Sequence, residues 1–98
     1  MGIKTTNFNK TGIEKLPNNK PVLYKIKTES GSTNYAGVAK RGRIQERLGE
    51  HLGNIPGVKV QIEQFNRKQD AEKKEGNIIK RTQPKYNKKG KYESGANF

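Results

Sequence analysis

The sequence predicts a small α+β domain, a three-stranded antiparallel sheet flanked by helices in the order β-β-α-β-α. Three observations carry this reading. Val22, Tyr24 and Ile26, and again Val58, Val60 and Ile62, alternate with polar residues, the period of a half-buried strand. Ile44, Leu48 and Leu52 recur every four residues, the period of a helix. Glycine, proline and asparagine fall between these segments rather than inside them.

Residues 1–20 are polar, rich in Asn, Lys and Thr and without a sustained period, so a basic N-terminal arm with at most one turn of helix is expected there. Pro17-Asn18-Asn19 marks a turn. The first strand is expected over Pro21 to Glu29, with Lys25 and Lys27 pointing away from the apolar side. Ser30-Gly31-Ser32 supplies a turn into a second strand, Thr33 to Ala39, so the two form a hairpin. A helix follows from Gly42 to Leu52, and Gly53-Asn54 and Pro56-Gly57 stop it. The third strand starts at Val58 and ends near Phe65. A second helix, Arg67 to Arg81, is capped by Asn66 or a neighbour, and its apolar positions are Ala71, Ile78 and Ile79. Pro84 blocks its continuation. The structured domain is thus expected over 21–87, and 88–98 reads as a basic, flexible tail.

With 98 residues there is room for one such domain. Only 29% of them are hydrophobic, so the core is small and stability has little reserve. The absence of cysteine excludes disulfides and thiolate metal sites. No apolar run reaches membrane-spanning length and the amino terminus has no apolar leader, so a cytoplasmic protein without a membrane role is expected. The net charge is +12, and it is uneven. Residues 1–28 and 76–98 each carry a net +5, while 29–75 carries only +2. Basic flanks of this kind displace counterions from phosphates, which points to nucleic acid as partner. Solubility alone is the plainer use of the same charge.

Two sets of residues invite a chemical reading. Arg47 and His51 lie four apart on the first helix, one position before Leu48 and Leu52, at the edge of its buried stripe. There the pair could contact a phosphate and move a proton, although a solvated helix face with an ordinary surface histidine has the same pattern. Glu75 is four after Ala71 and four before Ile79, on the apolar side of its own helix. A carboxylate there is costly unless it is paired or binds metal, and a neighbouring Lys or Arg would satisfy it equally well. Tyr24 and Tyr35 sit on adjacent strands, and Gly37 shares a face with Tyr35, leaving open space beside the ring.

Taken together, these segments resemble the GIY-YIG endonuclease family. Val22-Leu23-Tyr24 is similar to the first family signature and Tyr35-Ala36-Gly37 to the second, about ten residues later on a hairpin. Arg47-Leu48-Gly49-Glu50-His51 resembles the family's helix bearing an Arg and, in many members, a His one turn on. Glu75-Gly76-Asn77-Ile78-Ile79-Lys80 resembles the segment with the metal-binding Glu, and Gln83-Pro84-Lys85-Tyr86-Asn87 resembles the Pro-x-x-Asn ending. The match runs from about Pro21 to Asn87. Val22, Leu23 and Ala36 depart from the signature letters, while both tyrosines and Gly37 are kept.

The resemblance implies a metal-dependent endonuclease that hydrolyses phosphodiester bonds in DNA. Catalytic roles would fall to Tyr24, Tyr35, Arg47, His51, Glu75 and Asn87. Glu75 would hold a divalent cation, Mg²⁺ or Mn²⁺, and Arg47 would clamp a phosphate oxygen. Tyr24, with Tyr35 or His51, would position and deprotonate the attacking water, its pKa lowered by the metal and Arg47. Asn87 would tie the tail to the site. Nucleic-acid contacts are expected from Lys40, Arg41, Arg43, Lys80, Lys85 and Lys88, with Lys4, Lys10, Lys15, Lys20, Lys89 and Lys91 tracking the backbone on either side. Tyr86 and Tyr92 are candidates for base stacking. Family members commonly carry a separate specificity domain. Single-stranded or structured DNA cut with low sequence specificity is therefore the first expectation, or specificity supplied by a protein partner. An RNA-directed, toxin-like nuclease and a non-catalytic nucleic-acid-binding module are the alternatives, followed by a small basic ribosome-associated protein.

Overall fold

The computed structural model describes residues 3–84 and 86. Its elements are β1 (Ile3–Asn7), α1 (Lys10–Glu14), β2 (Val22–Lys27), β3 (Thr33–Ala39), α2 (Ile44–His51), β4 (Lys59–Gln64) and α3 (Lys68–Thr82). The strands form one antiparallel sheet in the order β1-β4-β2-β3, with β2 and β4 central. The α+β class expected from the sequence is present. The sheet has four strands rather than three, however, and a strand and a short helix precede the expected β-β-α-β-α order.

The N-terminal segment is the main correction. Residues 3–16 are not an arm outside the core: β1 pairs with β4 over five positions, and Phe8, Ile13 and Leu16 are buried. Asn9 caps α1 by accepting a hydrogen bond from the Gly12 backbone N–H at 2.8 Å. Gly12 is required there, because a Cβ would run into the Asn7 carbonyl oxygen. The far end of α1 is satisfied from α2, where Gln45 Nε2 donates to the carbonyls of Leu16 (2.9 Å) and Glu14 (3.3 Å).

Alternation sends the two kinds of side chain on β2 to opposite sides of the sheet. On one side Val22, Tyr24, Ile26, Val60 and Ile62 meet Ile13 and Leu16 from α1 and its following turn, and Ile44 and Leu48 from α2. On the other side Leu23, Ala36 and Phe65 meet Ala71 and Ile78 of α3, which lies chiefly over β3 and β2. The sheet is thus a middle layer, with α1 and α2 on one face and α3 on the other.

Boundaries shift by a residue or two from the expected ones. β2 ends at Lys27 rather than Glu29, and β4 covers Lys59–Gln64. α2 starts at Ile44, since Gly42 has a φ of 85°, and it ends at His51, with Leu52 already extended. The N-cap of α3 is Arg67, without a side-chain cap, so Asn66 does not play that part. α3 stops where Gln83 turns left-handed (φ 46°), just before Pro84. The expected tail, 88–98, lies outside the described residues.

Candidate active site

Tyr24 stands at the centre of the β2 register, opposite Gly37 of β3 and Ile62 of β4, and it is fully buried. Gly37 has no room for a side chain: a Cβ would lie 2.6 Å from the Tyr24 hydroxyl oxygen and 3.0 Å from the Tyr35 ring. The space expected beside the ring of Tyr35 is therefore taken by the Tyr24 hydroxyl. Tyr35, one register step away opposite Ile26, brings its ring centroid to 6.0 Å from that of Tyr24.

The last residue of α2 completes this cluster. His51 Nε2 lies 2.9 Å from the Tyr24 hydroxyl, and the His51 ring centroid is 4.8 Å from that of Tyr35. One helical turn earlier, Arg47 is half-buried, and its Nε has no hydrogen-bond partner although it is shielded from solvent. A shielded, unsatisfied guanidinium nitrogen is costly, and the Arg47 side chain also lines an open pocket where an anion could meet it.

The electrostatics assign states to these groups. Burial raises the Tyr24 hydroxyl well above its ordinary pKa. Tyr35 adds to that rise and Arg47 opposes it without winning. Burial also lowers the pKa of His51, as does the charge of Arg47, against a smaller opposite effect of Glu50. At neutral pH the pair is therefore an uncharged tyrosine bonded to a neutral imidazole. Arg47 by itself does not bring Tyr24 down to the range of a base, because the desolvation of a fully buried phenol outweighs one nearby cation.

Next to the cluster, an open pocket of about 260 Å³ is lined by Val38, Ala39, Lys40, Arg43, Arg47 and Lys68. It straddles the outer side of β3, the last strand of the sheet among the described residues, drawing on α2 from one face of the sheet and α3 from the other. Four of its six lining residues are cations and none is a carboxylate, although Arg43 pairs with Glu46 at 2.6 Å and Lys68 with Glu72 at 2.5 Å. Such a lining suits a phosphate group better than an apolar ligand.

Glu75 is placed differently from the tyrosine cluster. It lies on the sheet-facing side of α3, between buried Ala71 and Ile78, against the opposite face of the sheet from Tyr24. It is half-buried and has no hydrogen bond or ion pair among the described residues. Burial raises its carboxyl pKa, and the charge of Glu72 adds to this, while Lys68 of the basic pocket lowers it. Lys68 is thus the electrostatic link between the pocket and Glu75.

The structure brings Tyr24, Tyr35, Arg47 and His51 together, with Lys40 and Arg43 close by. Arg41 is exposed in the turn between Lys40 and Arg43, and Lys80 is exposed near the end of α3. Neither lines the pocket. Asn87, Lys85, Lys88 and Tyr92 lie outside the described residues, and Tyr86 is 36% exposed. Sequence reasoning missed Lys68: its nearness to Arg47 depends on how α3 crosses the sheet, which no local pattern encodes. Among the described residues no three His, Asp or Glu side chains gather as a metal-binding group, and no helix is long and apolar enough to cross a membrane. The chain matches no protein-family model and no curated protein.

Proposed function

We propose that the chain is a metal-dependent phosphodiester hydrolase of the GIY-YIG type that acts on nucleic acid. DNA that is single-stranded or structured is the favoured substrate. The observation that carries the reading is the Tyr24–His51 hydrogen bond beside the unpartnered Nε of Arg47. It sets a neutral proton acceptor and a waiting phosphate ligand one helical turn apart. The five sequence segments in family order support it, as does the cationic pocket at the β3 edge.

In this reading Arg47 takes a non-bridging oxygen of the scissile phosphate, and Lys40, Arg43 and Lys68 hold the flanking charge. His51 receives the proton of the attacking water. In the tautomer whose Nε2–H donates to the Tyr24 oxygen, Nδ1 carries the lone pair for that proton. Tyr24 stays protonated and holds the imidazole in place, and Tyr35 packs against the imidazole ring. Glu75 fits the part of a cation ligand in its chemistry: it is a half-buried carboxylate without a hydrogen bond or ion pair among the described residues, its charge only partly offset by Lys68. Mg²⁺ is commonly held by one or two carboxylates with water in the remaining positions. Such a cation, when bound, supplies charge stabilisation for the scissile phosphate and the leaving oxygen.

One observation favours a second reading, a nucleic-acid-binding module without chemistry. Glu75 belongs to the sheet face opposite Tyr24 and has no hydrogen bond or ion pair with the tyrosine cluster. A panel of labelled single-stranded DNA, duplex DNA and RNA, with Mg²⁺, Mn²⁺ or chelator, separates the two. The hydrolase reading expects metal-dependent cleavage that Glu75→Ala abolishes while binding persists. If the protein binds these substrates and cuts none of them with either metal, the binding module is the correct reading.

A further inference from the structure

α3 covers only part of its side of the sheet, chiefly over β3 and β2. On the rest of that face the pairing register sets out three rows across β2, β4 and β1. Leu23, Glu63 and Ile3 form the first, Lys25, Gln61 and Thr5 the second, and Lys27, Lys59 and Asn7 the third. Lys27 and Lys59 are direct cross-strand partners, a pairing of like charges that weakens a sheet. Lys25 lies in the field of Lys27, Lys74 and Arg81, with Glu63 the one opposing charge, and both burial and these cations lower its pKa. Glu63 is itself taken by Lys74 at 2.6 Å.

Five cations therefore share this face and its border with one carboxylate that is already paired. The fold does not require them: none contributes to either apolar core. The remaining side chains of the three rows are polar, apart from buried Leu23 and exposed Ile3, and none is aromatic. Asn7 accepts from Lys59 Nζ at 2.8 Å, which fixes that ammonium over the sheet. A surface with fixed ammonium groups and no stacking platform is suited to a phosphate backbone rather than to bases.

We propose that this open sheet face, built on Lys25, Lys27 and Lys59 with Lys74 and Arg81 at its border, binds the phosphate backbone of nucleic acid without reading its sequence. It lies on the opposite side of the sheet from Tyr24 and His51, so it is a second binding surface and does not depend on the hydrolase reading.

The test is binding of the full chain to a labelled 20-nucleotide single strand and the matching duplex over a salt series. The Lys27→Gln/Lys59→Gln variant is compared with Arg67→Gln/Lys73→Gln, which removes the same charge from exposed positions on and before α3. Each cation withdrawn from a duplex phosphate lowers the salt slope by about 0.9, so the first variant is expected to drop by about two units of slope and to bind more weakly. The second is expected to retain most of both. Equal behaviour of the two variants would overturn the proposal. So would a weakening seen only with phosphatidylserine vesicles, which would mark the face as a lipid surface. Thermal unfolding of both variants confirms that the sheet is intact. Because the readout is binding, the result holds whether or not the chain cleaves what it binds.

Discussion

Replacing Gly37 by alanine is the sharpest test of the site's geometry. The added methyl would stand 2.6 Å from the Tyr24 oxygen, 2.7 Å from the ring carbon that bears it and 3.0 Å from the Tyr35 ring. An exposed side chain would swing aside, but Tyr24 is fully buried and its hydroxyl is bonded to His51. Relief has to come from the packed interior, where forcing in one methyl costs about 1–3 kcal/mol. For a domain of this size each kcal/mol lowers Tm by about 4–8 °C. Gly49 is the matched control, since it lies inside α2 with open space where its Cβ would be. Alanine there removes the helix penalty of glycine and should stabilise by about 0.5–1 kcal/mol. Circular dichroism melts of the two variants should therefore move in opposite directions. If the proposed hydrolase reading holds, Gly37→Ala should also lose cleavage beyond its loss of stability, because Tyr24 is pushed away from His51. A Gly37→Ala protein that melts with the wild type and keeps its activity would refute this account of the tyrosine cluster.

Two titrations extend the argument. Burial and Arg47 lower the pKa of His51 in the folded state, so the unfolded chain binds that proton more readily. The stability this contributes is present above the ordinary value of 6.5 and is lost as pH falls through the lower folded value, a loss that His51→Gln should not show. If His51 is the base, cleavage should likewise fall through a single protonation with its midpoint below 6.5; a rate that rises as pH falls would exclude the role. Glu75 has the opposite sense, because its folded pKa is raised. The folded state pays for its ionisation once pH passes the ordinary value of 4.5, so Glu75→Gln should raise Tm at pH 7 and the gain should vanish towards pH 4.5. An unchanged Tm at neutral pH would mean that the carboxylate has a partner after all.

Much of the frame was readable because its residues obey a period. Val22, Tyr24, Ile26, Val60 and Ile62 alternate and are all buried on one face. Ile44 and Leu48 recur at helical spacing, and both are buried. β1 escaped for the same physical reason: four of its five side chains are exposed, so it is held by backbone pairing with β4 and by no apolar stripe. α1 is a single five-residue segment whose signs were the cap at Asn9 and the isolated Ile13 and Leu16. At the site, Arg47 and His51 were legible as a pair one helical turn apart. The placement of Glu75 was not, because periodicity shows which side of a helix is buried and not which face of the sheet it covers. Charge was legible as a total only. Dividing it along the chain set Lys25 and Lys27 in a basic flank and Lys59 and Lys74 in a near-neutral centre, whereas the register gathers them on one face.

Besides the unpartnered Oδ1 of Asn18, three arrangements among the described residues are unfavourable. Arg47 keeps an orphaned Nε beside His51, and Glu75 keeps a half-buried carboxylate on α3 that is only partly offset by Lys68. Lys27 faces Lys59 across β2 and β4. Each arrangement works against stability, and a chain with a small core has little to spare. Local rules are broken most often where a ligand restores what is missing. On the proposed readings a phosphate would answer Arg47, a cation Glu75, and a run of phosphates the lysine face. If both proposals hold, one polyanion carrying its counter-cations would supply all three, and that is the reason for proposing nucleic acid rather than a small anion or an acidic protein.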